Sequence, residues 1–449
     1  MSKDIRIKKG LNINLVGAAE SATSKAVMSN VYALNLEDFH GITPKMLVKE
    51  GDEVKAGGSL FYNKNIEDMH FVAPVSGKVS EIVRGARRRI LTIKITADKE
   101  QSYKAAKAID ANADAATVRK TLLQSGCWAF IKQRPYDIIA NPDATPKAIF
   151  VSGYSTAPLA ADVDYVLKGK EKELQAAIKA LSTLTPGKIN VSVANTQTSP
   201  FTNIEGVSFH KVSGPHPAGL VGTQINKINP INKGEVVWTI APQDLLIMGE
   251  YLLTGIFNAE RTVALSGSSV KSPKYYTTKI GAEISTFLYA SGVKEDKFRL
   301  INGDVLTGSR TTPEGYLGFY NNTVTAIPEG DDYELFGWNK PVFNKISSTR
   351  ALTFSWLNKK KKYNLNTNTN GEHRAFVVTG KYEEVFPLDI YPLQLLKACM
   401  VKDLDEMEQL GLYEVAPEDF ALTEFICISK QPHQQIIREG LDLMYQEIG

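Results

Sequence analysis

Between Met46 and Ile95 the apolar positions fall in short runs, at Val48, Val54, Leu60, Phe71, Val75 and Val79, each bounded by glycine or proline. A helix buries a stripe repeating every three or four residues, whereas this spacing suits short strands folded into a small two-sided barrel. Its centre is Phe71-Val72-Ala73-Pro74-Val75-Ser76-Gly77-Lys78-Val79, and the stretch from Leu47 to Phe61 reads as strand, Gly-Asp turn, short strand and second glycine turn. We place this barrel at residues 46–100. Residues 1–45, with the alternating pairs Ile5-Arg6-Ile7 and Leu11-Asn12-Ile13, are expected to lead into it.

Beyond Ile95 the pattern changes. Ala97 to Ala116 is polar and alanine-rich, a linker before a helix from Val118 to Gln124 that Gly126 ends. Ala148 to Val151 is a short apolar strand, and Asp162 or Asp164 can cap a helix whose Leu174, Ile178 and Leu181 share a face. After Pro186-Gly187 come a strand at Ile189 to Val193, another at Val236 to Ile240, and a helix opened by Pro242 with Leu245, Met248 and Leu252 on one side. This alternation predicts a doubly wound, Rossmann-like α/β domain over residues 105–257. From Arg261 the texture is of strands with one short helix, in the order Val263–Leu265, Ile284–Ala290, Phe298–Ile301 and Thr323–Ile327. That predicts a β-grasp module over 258–330. Lys359 to Lys362 and Asn364 to Gly371 read as solvated turn and loop in a connecting segment. From Pro392 a helical domain follows, with one stripe of Leu393, Leu396, Cys399 and Met400 and another of Leu441, Met444 and Tyr445. The fold class is therefore a multidomain mosaic of α/β and β units, spanning 331–449 in its last part.

Charge and composition narrow the function classes. The 449 residues hold 52 Lys and Arg against 49 Asp and Glu, a net of +3, which gives no reason to expect nucleic acid as a partner. The most apolar region, Leu245 to Phe257, is interrupted by Gly249 and Glu250 and falls short of the roughly twenty residues of a membrane span. The start Met1-Ser2-Lys3-Asp4-Ile5-Arg6 has no signal-peptide core, so a cytoplasmic chain touching a membrane only peripherally is expected. Cys127, Cys399 and Cys427 are too scattered for a disulfide framework or a four-cysteine metal site, and read as small buried hydrophobes. No two of the six histidines stand at metal-ligand spacing on one element, so no metal site is expected.

The barrel stretch resembles the barrel-sandwich domain of biotin and lipoyl carriers. Carriers modify a hairpin-tip lysine seven residues before the Ala of the Ala-Pro pair, and that count from Ala73 lands on Ile66, with Lys64 two positions away. An isoleucine cannot form the amide, so an unmodified barrel is expected.

The order of barrel, α/β domain, β-grasp module and helical tail resembles the A subunit of the Na+-translocating NADH:quinone oxidoreductase, a family related to the C subunit of the Rnf complex. Five segments carry the likeness: Phe71–Val79, Ser213–Gly222, Glu334–Trp338, Asn368–Glu372 and Pro387–Ile390. The resemblance implies a peripheral subunit on the cytoplasmic face of the bacterial inner membrane. Its partners would be the other subunits of a six-subunit sodium pump that uses NADH, flavins, iron–sulfur centres and a quinone. Flavin-binding relatives cradle phosphate with a glycine-rich loop, since only glycine lets backbone N–H groups come close. Here the corresponding turn is Ser125-Gly126-Cys127-Trp128-Ala129-Phe130, and Trp128 and Phe130 are expected to fill that space. No G-x-G-x-x-G follows a strand, and the tail keeps only Cys427 where an iron–sulfur cluster needs four thiolates. We therefore expect no cofactor on this chain. The alternative is a flavin-dependent NADH-oxidising subunit of a related complex.

Gly214, Pro215, His216, Pro217 and Gly219 are the candidate site residues. Two prolines fix the backbone around His216, and the glycines permit close approach of a flat ring or of another chain segment. A neutral histidine could hydrogen-bond a quinone carbonyl, and the alternative is a rigid interdomain loop. For membrane attachment we expect protein contacts to dominate, with the basic clusters Arg87–Arg89 and Lys359–Lys362 as weak, salt-sensitive aids.

Overall fold

The computed structural model of the protein describes residues 3–109, 113–195, 199–330, 334–341, 343–348, 351–355, 357 and 361–449. The barrel-sandwich unit has two facing sheets. One is ordered Val31–Asn35, Ile90–Ala97, Gly77–Arg84 and Glu53–Val54; the other Pro44–Met46, Ser59–Asn63 and Ile66–Val72. Leu60, Phe61, Phe71, Val75, Val79, Ile93 and Ile95 are fully buried between them, and Phe61 stacks on Phe71 at 4.5 Å. Val48 and Val54 are only half-buried, at the rim.

The hairpin tip differs from the count made on sequence. Asn63 pairs with Ile66, so the exposed two-residue tip is Lys64-Asn65, and Ile66 is the first residue of its strand. Bulges at Ser59/Phe61 and Tyr62/Asn63 shift the register, and a count from Ala73 cannot see them.

The first 45 residues do more than lead into the barrel. Lys3–Arg6 is an edge strand of a seven-stranded sheet, Glu20–Lys25 is the edge of a six-stranded one, and only Val31–Asn35 and Pro44–Met46 join the barrel. The seven-stranded sheet is ordered Lys3–Arg6, Val207–Ser213, Lys188–Ala194, Ala148–Ser152, Val237–Thr239, Lys132–Arg134 and Ile138–Ile139. Its first five strands are parallel and the last two form an antiparallel hairpin. Ile149, Phe150 and Val151 are buried in succession, as expected of a strand covered on both faces.

Asp162 caps a short helix, Val163–Leu167, not the helix that carries Leu174. Gly169, at φ +77°, ends that turn, and a second helix, Glu171–Ser182, starts after it and buries Leu174, Ile178 and Leu181. Against it packs Pro242–Thr254, opened by proline and closed by the left-handed Gly255. The two backbones approach so closely at Gly249 that a Cβ there would lie 1.9 Å from Glu173 O.

The six-stranded sheet runs Ser309–Thr311, Phe298–Asn302, Thr323–Pro328, Glu260–Ser266, Lys274–Lys279 and Glu20–Lys25. The helix Ser285–Ser291 buries Phe287 and Leu288 against Val263, Leu265, Leu300 and Val324. The last unit is helical, with Pro392–Val401 and His433–Ile448 closing over Phe386, Met407, Leu412 and Phe420. Met400 is half exposed and outside the stripe expected for it, since the helix ends two residues later at the left-handed Lys402. A relay of rings joins the units: Phe71 to Phe39 at 4.8 Å, Phe39 to Phe319 at 4.8 Å, and Phe319 to Phe130 at 5.0 Å.

Candidate functional site

The chain leaves the strand Ala148–Ser152 toward Lys188–Ala194 on one side and later returns to its other side as Val237–Thr239. Strand order therefore reverses beside Ala148–Ser152, and in open α/β sheets the crevice at the carboxyl ends of such strands is where ligands bind. A cavity of about 740 Å³ opens there. Ser152, Tyr154, Thr239 and Ile240 line it from the strand ends, and Gly219–Val221 and Ala241–Pro242 from the starts of two helices. Lys132, Arg134 and Asp137 come from the hairpin, Asn302–Asp304 and Tyr320–Thr323 from the six-stranded unit, and Glu418, Gln434 and Arg438 from the helical one.

Charges are gathered here at the cost of desolvation. Asp244 is buried, which pushes its carboxyl above the ordinary range against the pull of Arg261, its partner at 2.6 Å. Burial also raises Asp38, although Phe319 N–H donates to it at 2.8 Å. Burial opposes the charge of Asp137 as well, but Lys132, Arg134 and Arg438 together hold it below its usual value. Lys132 lies 4.3 Å over the Tyr320 ring, a cation–π contact, while the Tyr320 hydroxyl donates to Ala129 O at 2.7 Å. Arg134 and Arg438 are committed to Asp419, Glu418 and Asp442. The crevice thus presents two carboxyls raised by burial, Asp38 and Asp244, and a third, Asp137, held low by its cationic neighbours. Among the described residues no three potential metal ligands come together.

The loop Ser213–Gly222 forms one wall, but its members are placed unequally. Gly219 lines the crevice and donates its N–H to Thr156 Oγ1 at 2.9 Å. His216 lies behind it, 1% exposed, with ring Nδ1 3.1 Å from Thr156 Oγ1 and its backbone N–H donating to Asn12 Oδ1 at 2.9 Å. Burial lowers its pKa to about 4, so the ring is neutral at pH 7. Its Nε2 has no hydrogen-bond partner among the described residues. His216 O accepts from Leu11 N–H at 2.9 Å, and a Cβ on Gly214 would lie 2.3 Å from Ile7 O. Pro215 and Pro217, the latter after a cis bond, shape the turn, which clasps the N-terminal segment to the sheet.

Trp128 and Phe130 lie in the turn Cys127–Phe130, all of it buried. Trp128 Nε1 donates to Ala140 O at 2.7 Å and its ring meets Trp238 edge-on at 5.4 Å, whereas Phe130 reaches the crevice wall. The three cysteines are buried and unbridged, and burial pushes the Cys127 and Cys399 thiols up to about 12. Lys132, Arg134, Asp137, Asp244 and Tyr320 were not singled out on sequence. The available signal was Lys132-Gln133-Arg134 set between Phe130-Ile131 and Ile138-Ile139, charge inside an apolar stretch.

Three family models match in order: the NqrA N-terminal barrel-sandwich hybrid domain over residues 5–98, the NqrA second alpha/beta domain over 113–257, and the NQRA C-terminal domain over 262–312. The A subunit of the Na(+)-translocating NADH-quinone reductase of Neisseria meningitidis serogroup B is 39% identical over 447 residues, covering 99% of this chain and all of the relative. The chain belongs to the NqrA family, the A subunits of Na+-translocating NADH-quinone reductases. Members from Rhodopirellula baltica, 35% identical over 98% of both chains, and Vibrio atlanticus, 38% identical over 99% of this chain and 100% of that one, match equally end to end. Among solved structures, an NAD+-reducing [NiFe]-hydrogenase in the air-oxidized state matches 48% of this chain and 47% of that one at 13% identity. Its TM-score of 0.33 is too low to assign a fold to either half. No described helix of this NqrA homologue is long and apolar enough to cross a membrane.

Proposed function

We propose that this chain serves as the peripheral NqrA component of a sodium-translocating NADH:quinone reductase, on the cytoplasmic face of the inner membrane, supporting quinone reduction coupled to Na+ export. The observation that carries the reading is similarity from end to end, 39% identity over 99% of the chain, with three family models in sequence. NADH, flavins, iron–sulfur centres and quinone belong to the complex, and this chain holds no redox cofactor of its own. Supporting that, Trp128 and Phe130 fill the turn where a phosphate cradle would need glycine, and the cysteines lie apart and buried. The partners are the other subunits of the pump.

Within it, residues 105–257 act as a Rossmann-like domain and 258–330 as a β-grasp domain. The parallel order around Ala148–Ser152 and the single helix Ser285–Ser291 laid on a mixed sheet favour those kinships. For Gly214, Pro215, His216, Pro217 and Gly219 the interdomain reading is preferred to direct quinone contact. His216 is buried behind the crevice wall and bonded to Thr156 and Asn12.

Reconstitution tests the whole reading. Membranes lacking this subunit should lose NADH:quinone reductase activity and regain it on adding the purified chain. That chain should be colourless, should not oxidise NADH with an artificial acceptor, and should have the bare mass, with Lys64 unmodified. A flavin band or turnover by the pure chain would sink the cofactor-free reading. Failure to restore activity would sink the assignment to the pump.

A further inference from the structure

The described residues between Gly330 and Thr367 form an excursion whose ends are pinned together. At its neck Thr367 N–H donates to Pro328 O at 3.3 Å, Thr367 Oγ1 donates to Glu329 Oε1 at 2.6 Å, and Gly330 N–H donates to Thr367 Oγ1 at 2.9 Å. Farther out the two limbs are joined again, Asn344 Nδ2 donating to Asn364 O at 2.7 Å and Lys361 Nζ donating to Phe343 O. Leu335, Phe336, Trp338, Phe343 and Leu357 stand 57–88% exposed. Trp128 and Trp238, by contrast, are fully buried.

The charge of this stretch is as unusual as its apolarity. Residues 331–362 contain seven basic side chains, six of them lysine, against Asp331, Asp332 and Glu334 at the start of the stretch. Their net of +4 exceeds the +3 of the entire chain, so the remainder of the protein is net acidic. Exposed apolar clusters of this kind mark interaction sites. The type of partner follows from the kind of cation: protein interfaces are depleted in lysine and enriched in arginine, whereas segments lying in a membrane interface interleave lysine with Trp, Phe and Leu.

We propose that this excursion docks on anionic lipid headgroups, with Leu335, Phe336, Trp338 and Phe343 entering the headgroup–acyl boundary and Lys340 and Lys362 meeting the phosphates. Glu334, the acid set among those apolar side chains, is paired with Lys345 and lies 3.9 Å from Lys340 Nζ, so the two lysines outweigh its charge. The proposal concerns a lipid surface and does not depend on which subunits the chain assembles with.

Co-flotation of the purified full-length chain with protein-free vesicles tests it. Vesicles of equal parts phosphatidylglycerol and phosphatidylcholine should carry the chain, and phosphatidylcholine alone should not. Lys340→Gln and Lys362→Gln should each weaken partition about fivefold, the equivalent of one basic residue at an anionic surface. Phe336→Ala with Trp338→Ala should weaken it by more than about tenfold through lost apolar burial. Replacing Arg87, Arg88 and Arg89 by Gln should leave it unchanged. All these side chains are exposed, and unchanged circular dichroism confirms that each variant is folded. Failure to float with anionic vesicles overturns the proposal. So does attachment only to membranes holding the other subunits, which would make the occupant a protein, or loss of binding in the Arg87–Arg89 variant alone.

Discussion

Arg134 and Arg261 are both buried against an aspartate at 2.6 Å, and their surroundings differ. Arg134 joins the edge hairpin of the α/β sheet to the C-terminal helices. It donates to Asp419 Oδ2 at 2.6 Å, to Glu418 Oε1 at 3.0 Å and to Glu414 O at 3.2 Å. Gly222 makes room for this knot, since a Cβ there would sit 2.2 Å from Asp419 Oδ1 and 2.5 Å from Arg134 Nη1. Burial works against the Arg134 charge, yet Asp419, Glu418 and Asp137 outweigh it and leave its pKa above the ordinary value. Arg261 joins the six-stranded sheet to the helix Pro242–Thr254 through Nη2 alone, and its Nε and Nη1 have no partner among the described residues. Asp419 Oδ1 also lacks a partner among the described residues, so what ranks the two seams is not distance but the completeness of hydrogen bonding around each guanidinium.

The most damaging way to break the comparison is Asp419→Ala. It leaves Glu418 and a carbonyl as the remaining hydrogen-bond partners of the buried Arg134, and it removes the acceptor of Ala416 N–H at 2.9 Å. Breaking one side of a buried pair costs about 3–5 kcal/mol, and the upper half of that range is expected here. Urea unfolding should show the loss, with the C-terminal helices becoming the first segment cut by protease. A loss under about 1 kcal/mol would mean that the knot is not what holds the two units together.

Acid probes both sides of the Arg134 seam without mutation. His433, on the helical side, is buried between Phe376 and Tyr382, and His216 is buried on the sheet side. Burial lowers both to about 4, below the ordinary 6.5. A folded pKa below the unfolded one means that the unfolded state binds the proton first, so this stability is complete above 6.5 and is lost as pH falls toward 4. Each ring contributes about 3 kcal/mol once the fall is complete. Glu418 acts in the opposite sense: burial raises it to about 7, so its protonation favours the folded state as pH falls from 7 toward 4.5. Asp38 and Asp244, raised by burial, act in the same sense as Glu418, so the ring is read as a difference: between pH 6.5 and 4 the native chain should lose stability relative to His433→Gln, measured by denaturant at successive pH values. A difference between the native chain and His433→Gln that does not change from pH 6.5 to 4 would contradict the neutral assignment of His433.

These seams also mark where sequence stopped being legible. The barrel was readable because its apolar runs and glycine turns lie within fifty residues, and the α/β alternation because each strand and helix carries its own pattern. Lys3–Arg6 and Glu20–Lys25 were not readable as sheet edges. Their pairing partners lie some 200 and 250 residues away, and Glu20-Ser-Ala-Thr-Ser-Lys has no apolar periodicity. The loop at His216 drew notice through its prolines and glycines, which are local signals. The crevice around Lys132, Arg134, Asp137 and Asp244 did not, because charged residues look like surface until distant elements cover them.

The smallest expected effect is the most discriminating. Exchanging both members of the weaker seam, Arg261→Met with Asp244→Leu, removes a guanidinium with two unpaired N–H groups and a carboxyl that burial already pushes toward the neutral form. Replacing a buried pair by apolar side chains of similar volume is commonly neutral or stabilising. Asp244 also sits in the first turn of its helix, where a negative charge is worth about 0.5 kcal/mol, a loss that partly offsets the gain. The neighbouring Gln243 still holds the seam, since its Nε2 donates to Thr262 O at 2.8 Å and its Oε1 accepts from Thr262 N–H at 2.9 Å. The double variant should therefore unfold within about 1 kcal/mol of the native chain. Arg134→Met with Asp419→Leu should lose several times that, because Glu414 O and Ala416 N–H lose their partners. Equal losses at both seams in matched urea titrations would show that burial alone, not the completeness of hydrogen bonding, sets the strength of these pairs.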